Sequence, residues 1–119
     1  MYARSSIILS MLSFLTVAGP AVASAECFGE GSYRSTPGNT PALLSFTNNA
    51  QSEEDAYQIF WIDFDGNRQL YSTLHAQQSI DQETFIGHLW LITAPVPGGG
   101  EICIDLIEAS KPKENITLD

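Results

Sequence analysis

Trp61, Tyr71, His88 and Trp90 lie within one short span of this sequence. An imidazole and a phenol among indole rings can hold a small ligand by stacking and one or two hydrogen bonds. That is the composition of a small, shape-selective pocket. Alternation along a strand sends successive side chains to opposite faces. In His88-Leu89-Trp90-Leu91-Ile92, Leu89 and Leu91 share one face, and His88, Trp90 and Ile92 share the other. The aliphatic pair is expected to meet the core. The same rule sends Phe60, Ile62 and Phe64 inward and Trp61 and Asp63 outward, and it puts Tyr71 and Thr73 on one face. The competing use of these residues is packing, because small β-sandwiches also fill space with buried aromatics and a hydrogen-bonded histidine.

Other chemistry finds no support. Asp63-Phe64-Asp65-Gly66-Asn67 has a calcium-loop flavour, but the sixth and twelfth positions would be Arg68 and Leu74 instead of glycine and glutamate. His75 and His88 have no metal-ligand spacing with a cysteine. Glu53-Glu54-Asp55 reads as a solvated loop, and no G-x-S-x-G elbow exists. The expectation is a binding or structural protein without catalytic activity, metal or cofactor.

The elements that would position these residues are short strands. Ala42–Thr47, Ala56–Phe64, Gln69–Leu74, Ser79–Phe85, His88–Thr93 and Glu101–Ile107 have strand composition, and a further short strand is expected near Gly31–Arg34. Asp65-Gly66 supports a tight hairpin, and Ile86-Gly87 joins the next pair. Strands at regular spacing without helical periodicity predict an all-β fold: one antiparallel β-sandwich of about seven short strands, over residues 26–110. Residues 111–119 read as a polar C-terminal tail.

Residues 1–25 have another character. Arg4, the apolar run Ile7–Val17, Gly19-Pro20 and Ala23-Ser24-Ala25 make a secretory signal peptide. The apolar run is short for a bilayer span. Glu26 before Cys27 argues against lipid anchoring. Cleavage after Ala25 would leave 94 of the 119 residues, enough for one domain. The expected location is secreted or periplasmic. Cys27 and Cys103 both fall in the exported part, which favours one disulfide over two buried thiols. A loop that long is stabilised by roughly 4–5 kcal/mol in the chain-entropy model. The formal charge is −9, and −10 once Arg4 is removed. Such a field repels nucleic acid and anionic membrane surfaces. Asn115-Ile116-Thr117 is a glycosylation sequon if the source is a eukaryote.

The order of motifs resembles a known family. W-x-x-F-D-G (Trp61–Gly66), x-x-Q-x-Y-x-T-L (ending at Leu74) and G-H-L-W-L (Gly87–Leu91) follow one another with the spacing of the von Hippel–Lindau β domain. The resemblance spans about Leu43–Leu106. In that family the cluster holds a hydroxyproline side chain presented by an extended peptide. The resemblance places the pocket on Trp61, Tyr71, Thr84, His88 and Trp90. Thr84 departs from the family's serine: it keeps the hydroxyl and adds a methyl. The implied partner is an extended peptide containing proline or hydroxyproline. The helical second domain that recruits elongin and the ubiquitin ligase machinery has no counterpart here, so that partnership is not implied. A structural or interaction sandwich, with the aromatics as packing, is the alternative.

Overall fold

The computed structural model describes residues 27–119. The signal-peptide reading lies outside them. Seven strands form: β1 Pro41–Asn48, β2 Tyr57–Ile62, β3 Arg68–Leu74, β4 Ser79–Phe85, β5 Leu89–Pro95, β6 Glu101–Glu108 and β7 Lys113–Leu118. They pair as a three-stranded sheet, β4-β1-β7, and a four-stranded sheet, β3-β2-β5-β6. This is the expected all-β sandwich.

Two expectations at the ends change. No strand forms before Pro41 among the described residues. The stretch read as a polar tail instead supplies β7, which runs parallel to β1 and sets Ile116 beside Phe46 and Leu118 beside Asn48. Lys113, Asn115 and Thr117 face solvent, and Leu118 is buried. A polar outer face hid an amphipathic edge strand.

Within β2 and β5 strand parity divides the side chains as expected, but the two faces exchange roles. Trp90 and Ile92 pack with Leu44, Phe46, Ile59 and Leu74 between the two sheets. Phe60, Ile62 and Leu91, with Leu89 beside them, form a second cluster with Cys27 on the outer face of the four-stranded sheet. The aliphatic face is therefore not the sandwich interior. A sheet buried on both faces reads as a continuous apolar run, and Leu89–Ile92 is one.

The lead-in, residues 27–40 before β1, covers that outer face. A disulfide joins Cys27 to Cys103. Tyr33 Oη donates to the Cys27 carbonyl at 2.6 Å. Arg68 lies between Glu30 (2.6 Å) and Glu101 (2.9 Å), with its guanidinium 4.6 Å from the Phe60 ring centroid. Its three partners thus come from the lead-in, β2 and β6.

Candidate functional site

Three local features build a cavity at the β2–β3–β5 end of the sandwich. The first is the turn after β2. Asp63 Oδ1 accepts from the backbone N–H groups of Asp65 (2.9 Å) and Asn67 (2.8 Å). Gly66 has φ 90°, and a Cβ there would sit 3.0 Å from the Tyr33 carbonyl oxygen. The chain leaves the strand at Asp63, so alternation no longer governs Phe64. Phe64 was expected inward with Ile62. Instead it packs edge-on against Trp61, ring centroids 5.2 Å apart.

The second is a bulge. Ile59 opposes Ser72, but Phe60 opposes Leu70, so Tyr71 has no partner on β2. A bulge re-aims a side chain. Regular alternation from Leu74 and Ser72, which face the sandwich interior, would send Tyr71 outward. The bulge turns it back, and its ring meets Trp90 edge-on at 5.0 Å. Thr73, opposite Gln58, stays on the outer side, so the expected shared face of Tyr71 and Thr73 is not formed.

The third is the β4–β5 turn. Gly87 has φ 97°, with the Thr36 side chain 3.3 Å from where its Cβ would be. Thr36 N–H donates to the Gly87 carbonyl at 2.9 Å. Buried Ser35 receives the Leu89 N–H at 2.8 Å and donates to the Ile62 carbonyl. The residues flanking His88 are thereby held between β2 and the lead-in.

The resulting cavity is about 330 Å³ and is lined by Gly38, Trp61, Phe64, Tyr71, Glu83, Thr84, Phe85 and His88. Four of the five expected pocket residues line it: Trp61, Tyr71, Thr84 and His88. Trp90 does not. It is 1% exposed and lies beneath Tyr71 as part of the core. Its indole N–H donates to Thr84 Oγ1 at 2.9 Å. Parity alone could not separate Trp61 from Trp90, which stand opposite each other on β2 and β5. Phe64, Phe85, Glu83 and Gly38 were not foreseen. The turns at Asp65-Gly66 and Ile86-Gly87 are the signals beside the two phenylalanines.

The His88 ring is enclosed by aromatics. Its centroid is 5.6 Å from Trp61 and 5.5 Å from both Phe64 and Phe85. Burial disfavours the imidazolium and holds the His88 pKa below its ordinary value. The ring is therefore neutral at neutral pH. Its Nε2 is buried without a hydrogen-bond partner, as is Trp61 Nε1. The site thus offers flat aromatic walls, two unpaired polar atoms and the Thr84 hydroxyl hydrogen. No group of three or more potential metal ligands occurs among the described residues.

Comparison with known proteins gives one positive result. The family model described as VHL beta domain matches residues 34–95, just over half of the 119-residue chain. The matched stretch contains every residue lining the cavity and stops short of Cys27, Glu30, Glu101 and Cys103. No curated protein matches.

Proposed function

The chain belongs to the VHL beta domain family, and on that premise we propose that it is an exported peptide-binding module, without catalytic activity, whose cavity takes the side chain of hydroxyproline in an extended segment. A pyrrolidine ring lies flat against Trp61 and Tyr71. Its hydroxyl reaches the floor formed by His88 and Thr84. The supporting observation is that His88 and Trp61, which line an aromatic cavity open to solvent, each carry a buried polar atom without a partner, Nε2 and Nε1. An unpaired buried polar atom costs about 1–3 kcal/mol. A ligand hydroxyl removes that cost and a bare proline does not. The expected discrimination is about tenfold to a hundredfold.

β4 adds a second element of recognition. It is the outermost strand of its sheet, and Glu83 to Phe85 on it line the cavity. An extended peptide seated there finds backbone partners along a strand edge. The Cys27–Cys103 bridge fits a secreted or periplasmic location, since disulfides persist in oxidising compartments.

Calorimetry with paired peptides, identical except for hydroxyproline against proline, tests the proposal. The hydroxylated peptide should bind more tightly. His88→Ala should remove the difference while leaving the fold cooperative. If neither peptide binds at millimolar concentration, the cavity is a packing feature and the proposal fails.

A further inference from the structure

The cavity does not end at its aromatic walls. A second cavity, about 600 Å³, is lined by Pro41, Ala42, Leu43 and Pro112, and it shares Glu83, Thr84 and Phe85 with the first. Glu83 therefore stands where the two meet. It is the only charged residue lining either cavity. Its carboxylate makes no hydrogen bond or ion pair among the described residues. Lys113 stands in the same row, on the far side of Leu43, and makes no ion pair with it. The groove thus carries one unneutralised negative charge, on a chain whose formal charge is already −9. The independent sign of a ligand here is His88, 9% exposed, which lines the same cavity as Glu83 and has a buried Nε2 without a partner.

We propose that the segment bound in this groove carries a lysine or arginine close to the residue seated against His88, and that Glu83 selects for it. This rests on the peptide-binding reading above and adds the charge of the partner to it. A side chain leaving the first cavity passes Glu83 before it reaches the proline-lined cavity. A cation there gains an ion pair. An acidic side chain meets repulsion, strengthened by Asp81, which lies two residues away on the same outward face of β4. The apolar second cavity then receives the peptide beyond that point.

The experiment uses three sets of hydroxyproline peptides, in which lysine, glutamine or glutamate is scanned through the positions flanking the hydroxyproline. Affinities are measured by calorimetry at low and high salt, on the protein and on Glu83→Gln and Glu83→Lys. At the best position lysine should exceed glutamine by about twofold to fivefold, the range of a partly exposed ion pair. Glutamate should fall below glutamine, and high salt should shrink both differences. Glu83→Gln should level the series, and Glu83→Lys should reverse it. Glu83 is exposed and unpaired, so both variants should melt as the unmodified protein does. If the glutamine peptides bind but lysine brings no gain at any position, or if Glu83→Gln leaves the gain intact, the charge selection is overturned and the hydroxyproline pocket stands. If no peptide of any set binds, the pocket reading falls and this inference falls with it.

Discussion

Trp90 Nε1–H donates to Thr84 Oγ1 at 2.9 Å, across the gap between the two sheets. Trp90 belongs to β5 of one sheet and Thr84 to β4 of the other. Both are buried. The bond therefore joins the sheets beneath the cavity floor. It uses an acceptor lone pair of Thr84 and leaves the hydroxyl hydrogen for a ligand. The serine that the family resemblance implies at this position would serve both bonds equally well.

Thr84→Val keeps the shape and removes the hydroxyl. The Trp90 indole N–H then has no partner, and stability should fall by about 1–3 kcal/mol. Thr84→Ser should lose less, because only a methyl is removed. Urea denaturation of the three proteins checks the order. Equal stability of the valine variant would show that the bond contributes nothing.

Trp90→Ala should act on the fold before it acts on binding. The ring is 1% exposed and lies in the core with Leu44 and Ile59. Truncating it should cost about 3–5 kcal/mol. Trp61→Ala should cost less, because Trp61 is only partly buried and walls the cavity. Thermal melting separates the two variants.

The alternation in β5 was legible in the sequence, but the identity of the inner face was not. Leu89 and Leu91 resemble a core pair more than His88 and Trp90 do. The missing fact was that a second layer, Cys27–Tyr33, covers the other side of the sheet. Tyr71 was legible by family resemblance and illegible by parity, because the bulge at Ile59/Phe60 shifts the register. Phe64 was misplaced because the turn at Asp63 interrupts its strand. β7 was missed because only Ile116 and Leu118 mark its inner face. The cysteine pair needed no geometry: two cysteines in one small domain read as exported favoured a single bridge over two buried thiols, and the bridge forms.

Leu118→Ala tests whether β7 is integral to the fold. Leu118 is 6% exposed and in the sandwich core. The loss should be about 2–4 kcal/mol. A polar tail would tolerate the change without effect, so an unchanged urea midpoint would refute the role of β7.

Arg68 and Glu30 give stability an acid limit. The hydrogen bond from Arg68 is the main reason the Glu30 carboxyl titrates below its ordinary 4.5. A carboxyl with a depressed folded pKa contributes stability that is present above its unfolded pKa and is lost as pH falls through the folded one. Stability should therefore decline below about pH 4.5, and Glu30→Gln should flatten that decline. Arg68→Met leaves both Glu30 and Glu101 without their cation and should cost about 2–3 kcal/mol at neutral pH. Cys27→Ser should cost on the order of 2–5 kcal/mol, given the 76-residue separation of the bridged cysteines.

His88 sets a second, higher pH window. Burial among Trp61, Phe64 and Phe85 lowers its pKa from the ordinary 6.5. The unfolded chain therefore takes up a proton at this position before the folded chain does. Its contribution to stability is complete above about pH 6.5 and diminishes as pH falls below that value. As pH falls below about 6.5 the unfolding free energy should drop, and His88→Gln should remove most of the drop. The Glu30 window begins lower, so the two variants flatten different parts of the curve. Peptide binding should follow the same dependence. A neutral imidazole has one ring nitrogen able to accept from a ligand hydroxyl, and protonation removes that acceptor. Urea titrations across this range, on the unmodified protein and His88→Gln, provide the measurement. Parallel curves for the two proteins would mean that His88 does not change its protonation on unfolding.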